Sequence, residues 1–279
     1  MKTLGEPVAS GDLAVTDTVL ELRNVSKYYG DVQVLDGVSF RLRQGETKII
    51  LGGSGSGKST MLKLMMGLER PDEGQVLVKG QDISSMNERQ LGLVRPQIGM
   101  VFQEAGLFDS LSVFDNLAYR LYELKMEEAA IEERVQTVLG FVGLTAAIDK
   151  EPSELSGGMR RRVALARALI SQPRIMLYDE PTAGLDPVTS RKINELIIRL
   201  RDTQNVSGVF VTHRLRDAFT LATVYAHESN GSIRFRREDG TFCLAHTRFV
   251  MLQNGKTIFE GPDELLRQSE DPYIRKFLA

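Results

Sequence analysis

The sequence has only one cysteine, Cys243, and no tryptophan among its 279 residues. A single cysteine excludes an internal disulfide framework and a cysteine-based zinc cluster, so a reducing compartment is the simplest setting. Residues 1–17 lack the apolar core of a secretion signal. Apolar runs such as 98–102 and 175–178 are far shorter than the ~18 residues that cross a bilayer. We therefore expect no membrane span in this chain.

Neither sign of charge dominates, because 35 Lys and Arg oppose 37 Asp and Glu and leave a net charge of −2. This balance argues against a broad nucleic-acid surface, which needs a basic stripe. Hydrophobic residues make up 42% and charged residues 26%, as in a globular protein. The length permits one large α/β domain or two modest ones. One domain with inserted lobes is favoured, because no linker rich in Pro, Gly or Ser divides the chain.

Hydrophobic patterning predicts a β-rich beginning followed by alternating strands and helices. Predicted strands cover 19–25, 34–43, 46–51, 76–79, 98–102, 175–178 and 209–212, and predicted helices cover 58–66, 188–201 and 215–222. A last short helix is expected after Asp271, with Pro272 at its first position. The spacing of apolar residues becomes typical of helices over 112–171, which predicts an inserted helical lobe at about 104–171. The fold class is α/β with a parallel sheet.

A glycine-rich loop lies between the predicted strand at 46–51 and the helix at 58–66. It matches G-x-x-x-x-G-K-[ST] and consists of Gly52, Gly53, Ser54, Gly55, Ser56, Gly57, Lys58, Ser59 and Thr60. Uncovered backbone N–H groups, a helix N-terminus and the Lys58 charge together suit a triphosphate, and the Ser59 hydroxyl would ligate Mg²⁺. A flexible Gly/Ser loop is the alternative, but a chance match in this length is on the order of 1%.

Two carboxylates, Asp179 and Glu180, directly follow the predicted strand at 175–178. Ligands of open α/β sheets bind at the carboxyl ends of strands. We expect Asp179 on the metal side and Glu180 polarising the water that attacks the γ-phosphorus. An acidic loop start at a sheet edge is the alternative, which the phosphate loop makes less favourable.

A second helix N-terminus begins at Ser156, Gly157 and Gly158. Its uncovered N–H groups suit phosphate. One nucleotide has one γ-phosphate, however, and this loop lies in the predicted helical lobe, so we expect it to serve the nucleotide of another chain. The triplet 160–162, all arginine, is interpreted as a solvated face rather than an anion site.

These motifs, in this order, resemble an ABC-type ATPase over roughly residue 19 to the C-terminus. The resemblance rests on the phosphate loop, Gln103, residues 155–158, Asp179-Glu180, Asp186 and His213. It implies a P-loop NTPase of ABC type, with a mixed sheet core, an antiparallel β subdomain and the helical lobe. The ATPase domain would cover 18–279, after a flexible N-terminus at 1–17.

The resemblance also implies roles for individual residues. Tyr29 would stack on adenine, Gln103 would link Mg²⁺ and the attacking water to the helical lobe, and His213 would contact the γ-phosphate. Asp186 would communicate across a dimer. The implied cofactors are ATP and Mg²⁺. Two chains would close head to tail, each ATP lying between one phosphate loop and 156–158 of the partner.

Three features of the sequence resemble one branch of this family, the ATPases of MCE-linked phospholipid transporters, which move lipid between bacterial membranes. They are Met159 where most members have Gln, the string 106–118 and the ending 271–278. This implies permease subunits, an MCE substrate-binding protein, a small accessory protein, no nucleic acid, and a place on the cytoplasmic face of the inner membrane. The segment 183–185 departs from the usual pattern, which begins with Ser.

Three rival functions remain. The first is the ATPase of a small-molecule importer or exporter, which the neighbouring genes would distinguish. The second is a soluble ABC protein of repair or translation, disfavoured because coiled-coil insertions and tandem halves are absent. The third is a nucleotide-binding regulator, disfavoured because Glu180 and His213 are both present.

Two further segments predict contacts with partners. Residues 227–247 fit the resemblance poorly, and turn signals at 230–231 and 239–240 predict an added β-hairpin that contacts a partner or regulator.

The apolar residues near the start of the helical lobe are more numerous than one helix needs to anchor itself. They are Leu107, Phe108, Phe114, Leu117 and Leu121. This group could receive a helix of a permease or be completely buried within the lobe, and the sequence favours neither alternative.

Overall fold

A mixed six-stranded sheet and an antiparallel four-stranded sheet form the centre of the part of the chain that the computed structural model describes, residues 17–229, 232–237 and 247–279. The strands are β1 (Thr18–Tyr29), β2 (Val32–Arg43), β3 (Thr47–Gly52), β4 (Glu73–Val78), β5 (Gln81–Asp82), β6 (Ile98–Val101), β7 (Ile175–Asp179), β8 (Ser207–Val211), β9 (Val224–Ser229), β10 (Ser232–Arg237), β11 (Thr247–Gln253) and β12 (Lys256–Gly261). The helices are α1 (Lys58–Met65), α2 (Glu88–Val94), α3 (Val113–Glu123), α4 (Glu128–Val142), α5 (Gly157–Leu169), α6 (Pro187–Gln204), α7 (Leu215–Thr223), α8 (Asp263–Arg267) and α9 (Pro272–Leu278).

The six-stranded sheet has the order β12-β11-β3-β8-β7-β6. Every neighbouring pair is parallel except β11 and β12, which are antiparallel. Strands β3, β7 and β8 are buried along their whole lengths, as expected of a sheet covered on both faces. Because these strands are parallel, the segments that follow β3, β6, β7 and β8 all leave the same edge of the sheet.

Side chains alternate between two hydrophobic clusters on the faces of the central sheet. On β3, Ile49 and Leu51 join the cluster that includes the helical lobe, whereas Ile50 joins the cluster that includes α1 and the antiparallel sheet. That second sheet has the order β2-β1-β4-β5. The predicted α/β fold with a mixed core sheet, an antiparallel sheet and an inserted helical lobe is confirmed.

The helical lobe consists of α3, α4 and α5. The hydroxyls of Ser112 and Ser156 cap α3 and α5 by accepting hydrogen bonds from backbone N–H groups, and α4 ends at Gly143 in the left-handed conformation. The strands and helices predicted from the sequence lie where they were expected, with ends displaced by a few residues.

The arginine triplet on α5 is not a solvated face, and that interpretation was wrong. Arg160 donates to the carbonyl of Leu155 at 2.6 Å, and Arg162 donates to the carbonyl of Val142 at 3.0 Å. Arg161 donates to the carbonyl of Phe102 at 2.8 Å. Backbone carbonyls at the ends of other elements need donors, and these guanidinium groups supply them. The triplet therefore fastens the helical lobe internally and to the central sheet.

Strands β9 and β10 form an antiparallel pair in which Ser229 lies opposite Ser232. The pair begins at Val224 rather than at residue 227. Both predicted turns, at 230–231 and 239–240, lie outside the described residues, as do residues 1–16 of the predicted flexible N-terminus. Asp17 is described, and its carbonyl accepts a hydrogen bond from the N–H of Gln44 at 2.8 Å.

The last helix begins as predicted. The Asp271 carboxylate accepts hydrogen bonds from the N–H groups of Tyr273 and Ile274, and Pro272 occupies the first helical position. Ile274 is buried in the main cluster. Among the described helices, none combines the length and the apolar character of a membrane span.

Candidate functional site

The glycine-rich loop connects β3 to α1 at the carboxyl end of the central sheet. Gly57 precedes α1 with a φ of 99°, and a Cβ there would lie 2.6 Å from a Leu35 methyl group. A Cβ on Gly52 would lie 2.5 Å from the Leu252 carbonyl. Side chains at these two positions would thus force the loop away from β2 and β11. The loop keeps its shape only with glycine at both.

Lys58 lies at the start of α1, and its ammonium group folds back over the loop. Its Nζ donates to the carbonyls of Gly52 and Gly53 at 2.9 and 2.8 Å. Burial lowers the pKa of Lys58, while the nearby Glu180 and Asp179 carboxylates raise it. The two carboxylates favour the charged form of Lys58, and this ammonium group over the loop suits an anionic ligand.

Ser59 and Asp179 meet at the ends of neighbouring segments. The Ser59 hydroxyl donates to the Asp179 carboxylate at 3.1 Å. Burial raises the pKa of Asp179, whereas the hydrogen bond from Ser59 lowers it. A hydroxyl oxygen beside a carboxylate is the oxygen donor pair that a hard divalent cation prefers, and Mg²⁺ commonly takes few protein ligands beside substrate phosphates. These two residues could hold Mg²⁺.

Glu180 and His213 form the second pair at this edge. The Glu180 Oε1 atom accepts from the His213 backbone N–H at 3.0 Å and lies 2.7 Å from His213 Nδ1. Its Oε2 atom accepts from the Thr212 hydroxyl at 3.3 Å. The pair forms because β7 and β8 are adjacent and parallel, so the residues after each strand come together. The His213 side chain is 61% exposed, so its ring faces outward beyond the carboxylate.

Glu180 has an unusual backbone conformation, with φ at 47°. Left-handed conformations are uncommon for residues other than glycine and cost roughly 1 kcal/mol. The conformation is held by hydrogen bonds from Glu180 N–H to the Val211 carbonyl, and from Ala183 N–H to the Glu180 carbonyl, both 3.0 Å. The fold therefore keeps a strained residue whose carboxylate points at His213.

Tyr29 lies at the end of β1 and is 44% exposed. Its hydroxyl donates to the Glu69 carboxylate. Burial, followed by the bond to Glu69, raises the pKa of the phenol. The hydroxyl is fixed and much of the ring is accessible, so Tyr29 can offer a stacking surface to a flat ligand.

The other expected site residues lie after β6 and at the starts of α5 and α6. Gln103 is exposed two positions after β6, and Ser156 is exposed at the start of α5, with its hydroxyl accepting from Met159 N–H at 3.2 Å. Asp186 caps α6 by accepting from the N–H groups of Val188 and Thr189, and the bonds from Thr189 lower its pKa. Within the described ranges, no hydrogen bond joins 156–158 to 52–60.

Comparison with known proteins identifies the family. The model of the family described as "ABC transporter" matches residues 35–183. The chain belongs to the ABC transporter family. It is an ATPase and the ATP-binding subunit of a transporter.

Three relatives show the range of proteins to which the chain is similar. The chain is 39% identical to TRIGALACTOSYLDIACYLGLYCEROL 3, chloroplastic, of Arabidopsis thaliana, over 94% of this chain and 74% of the relative. It is 35% identical to the Intermembrane phospholipid transport system ATP-binding protein MlaF of Haemophilus influenzae, over 95% of this chain and 91% of MlaF. It is also 38% identical to the Methionine import ATP-binding protein MetN of Clostridioides difficile, over 77% of this chain and 67% of MetN.

A solved structure has the same fold. The ATP-binding cassette MJ0796, in a dimeric post-hydrolysis state bound to ADP and Pi, matches with a TM-score of 0.73 and 30% identity. The match covers 87% of this chain and 98% of MJ0796. The predicted resemblance to an ABC ATPase is confirmed.

ATP fits the loop of this ABC ATPase on the evidence of its own atoms. The Ser56 hydroxyl is buried and has no hydrogen-bond partner among the described residues. A buried hydroxyl without a partner costs free energy, and a phosphate oxygen would provide that partner. The residues around this hydroxyl are the glycines and Lys58, which also suit phosphate.

A buried polar network lies behind the Glu180–His213 pair of this ABC ATPase, and no sequence motif predicts it. Asp217 accepts from the Thr182 hydroxyl at 2.7 Å and from the Asn194 amide at 2.9 Å. Arg214 donates to the carbonyl of Thr182 at 2.7 Å and lies 3.4 Å from Asp217. The network joins the segment after Glu180 to the turn that carries His213. It could be recognised only after the fold had brought three segments of the chain together.

Proposed function

We propose that the chain binds Mg²⁺-ATP between its own phosphate loop and residues 156–158 of a second copy, and that hydrolysis powers phospholipid movement between bacterial membranes through an MCE-type permease. The observation that carries hydrolysis is the Glu180 carboxylate, held by His213 and Thr212 beside the phosphate loop. It is the group best placed to polarise an attacking water.

The proposed roles follow the geometry of the site. Lys58 exchanges its hydrogen bonds to two loop carbonyls for bonds to the β- and γ-phosphates. Glu180 orients and polarises the water, and the exposed ring of His213 contacts the γ-phosphate. Tyr29 stacks on the adenine, and Gln103 connects the metal and the water to the helical lobe. Positioning and charge stabilisation supply most of the rate.

A second copy is proposed because, among the described residues, no hydrogen bond joins the start of α5 to the phosphate loop of the same chain. The N–H groups at 156–158 carry the positive end of the α5 dipole, and Ser156 is exposed there. A head-to-tail pair places this end against the γ-phosphate of the partner's nucleotide. The dimeric state of MJ0796 supports this arrangement. In the closed pair, Asp186 lies near the interface and reports nucleotide binding to the other copy.

Loss of the Asp179 carboxylate is expected to weaken Mg²⁺ use rather than ATP binding. Asp179→Asn keeps the shape of the side chain and its contact with Ser59, but removes the charge that favours a divalent cation. We expect a turnover at least about tenfold lower at 1 mM Mg²⁺, recovering in part as Mg²⁺ rises, because one charged ligand contributes on the order of 1.5–3 kcal/mol. Mg²⁺ titrations of ATPase rate check this. Asp72→Asn, at an exposed site, is the control. An unchanged Mg²⁺ dependence contradicts the metal role.

Phospholipid as the cargo is supported by relatives. MlaF is named for intermembrane phospholipid transport, and its match to this chain covers nearly all of both proteins. The rival is the ATPase of a small-molecule importer, which the similarity to MetN favours. The MetN match covers less of both chains than the MlaF match, so we place phospholipid first.

Exposed apolar side chains in and beside the helical lobe support a permease partner. The set, here called the aromatic patch after its four aromatic members, consists of Phe102, Phe108, Tyr119, Tyr122, Leu124 and Met126, each between 37% and 49% exposed. Among the apolar residues singled out in the sequence, Leu117 and Leu121 are buried, whereas Phe108 is 45% exposed. Part of the group therefore anchors α3, and part is available to an apolar helix of a permease.

The experiment isolates the chain from membranes with its partners and identifies proteins and lipids by mass spectrometry. We expect an MCE-type permease with bound phospholipid. Phe108→Glu places a charge in the aromatic patch, and at least a tenfold loss of permease recovery is expected, since one interface hot spot contributes 2 kcal/mol or more. The ATPase rate of the free chain should be unchanged. Leu93→Glu, at a 79% exposed position on α2, is the control. Recovery of a methionine-type permease and no lipid would overturn phospholipid as the cargo.

A further inference from the structure

The C-terminal helix contacts the phosphate loop through one side chain. The Tyr273 hydroxyl on α9 accepts a hydrogen bond from the Gly53 backbone N–H at 2.9 Å. The two residues are 220 positions apart in the sequence. Neither the loop motif nor the pattern of the last helix predicts this contact, and the function proposed above does not use it.

Tyr273 and Lys58 hold opposite sides of one peptide unit. The unit that joins Gly52 to Gly53 directs its carbonyl to Lys58 Nζ at 2.9 Å and its N–H to Tyr273 at 2.9 Å. In a trans peptide the two groups point in opposite directions. When Lys58 turns to a phosphate, the carbonyl loses its donor, and Tyr273 is then the side chain that still fixes this unit.

The position of Tyr273 is itself determined by packing. The Asp271 cap fixes the first turn of α9, and Ile274 is 1% exposed in the main cluster. The Tyr273 ring stacks on Phe277, with ring centroids 6.3 Å apart. A Cβ at Gly53 would lie 3.3 Å from the Tyr273 oxygen, a tight approach for a side chain. The hydroxyl and the bare glycine backbone therefore fit one another.

We propose that Tyr273 is a positioning residue of the phosphate loop, through which the C-terminal helix sets the affinity of the chain for ATP. The inference rests on the proposed ATP site. The Tyr273 bond pre-orders the Gly52–Gly53 unit in the free chain and retains it in the bound chain. Without the hydroxyl, the unit has more conformations to lose when ATP binds, so affinity falls. Tyr273 touches no reacting atom, so the rate of the bound complex is unchanged.

Tyr273→Phe removes the hydroxyl and keeps the ring stacked on Phe277. We expect the Kd and KM for ATP to rise about fivefold, the change that a neutral hydrogen bond of about 1 kcal/mol produces, with kcat within twofold of the native value. The melting temperature without nucleotide should stay within about 2 °C. Tyr225→Phe removes a hydroxyl from β9 that has no bond to the phosphate loop, and it should leave KM unchanged.

Gly53→Ala tests the same contact from the other side. In the native background, the new Cβ presses on the Tyr273 oxygen, and ATP affinity should fall by a similar factor. In the Tyr273→Phe background that oxygen is absent, so the alanine should change the Kd less than twofold. Strong non-additivity of this kind is expected when two residues are in direct contact.

The outcomes distinguish a failure of the positioning role of Tyr273 from a failure of the proposed ATP site. An unchanged or tighter Kd in Tyr273→Phe, additive effects of the two substitutions, or a loss of kcat accompanied by a lower melting temperature overturns the positioning role. If native protein binds ATP and Lys58→Ala does not, the proposed ATP site stands regardless of these results. If native protein fails to bind ATP, the proposed site itself fails.

Discussion

Glu180→Gln will bind ATP as the native chain does and turn it over at least about 100-fold more slowly, within the range that loss of a general base produces. Glutamine has nearly the shape of glutamate, so the contacts with the Thr212 hydroxyl and the His213 backbone can largely persist. It cannot accept the proton of a water molecule. Binding and chemistry therefore separate in this variant.

A closed dimer should accumulate because hydrolysis is the step that reopens it. Size-exclusion chromatography with Mg²⁺-ATP will show a dimer of Glu180→Gln that persists, whereas the native dimer disperses as ATP is consumed. Glu73→Gln, at an exposed position on β4, is the matched control and should hydrolyse ATP at the native rate. Native turnover by Glu180→Gln would falsify the assignment of the base, and rapid turnover by a strictly monomeric chain would contradict the shared site.

Lys58→Ala will lose ATP binding itself, with the Kd raised roughly 10- to 100-fold. Lys58 is 9% exposed, and its ammonium group lies against the loop that receives the phosphates. A hydrogen bond to a charged group contributes about 1.5–3 kcal/mol, which corresponds to that range of affinity. The substitution also frees the carbonyls of Gly52 and Gly53, so the loop loses order before ATP arrives.

Isothermal titration or fluorescent-nucleotide binding measures this loss. Lys63→Ala is the matched control because it removes a lysine from the same helix, where the side chain is 48% exposed and pairs with Glu69. It should bind ATP within twofold of the native affinity. Equal affinities of Lys58→Ala and Lys63→Ala would show that the loop lysine does not hold the phosphates.

The order of elements and the phosphate loop could be predicted because their signals are local. A glycine needed at 52 or 57 reflects backbone geometry within a few residues, and alternation of apolar residues gives the strands directly. The position of Asp179 and Glu180 at the end of a buried strand could be predicted for the same reason, and their roles stay predictions. The roles assigned to Tyr29 and Gln103 rested on family resemblance, and they stay predictions.

The contacts of long side chains could not be predicted in this way. A run of three arginines predicts a charged, solvated face, yet in the fold all three side chains donate to backbone carbonyls of other segments. Phe108 is exposed in the segment before α3, whereas Leu117 on α3 is buried in the main cluster. Which apolar residues remain free for a partner depends on such packing.

By itself, the sequence determined the α/β class, the nucleotide-binding motifs and the family, because these depend on residue spacing along a short stretch of chain. Only the tertiary structure decided that Glu180 faces His213, that Arg214 and Asp217 brace the segment behind them, and that Tyr273 holds the phosphate loop. Each of these contacts joins segments distant in the chain. Hydrogen bonds act over about 3 Å, and that closeness arises only when the parallel strands and the last helix pack together.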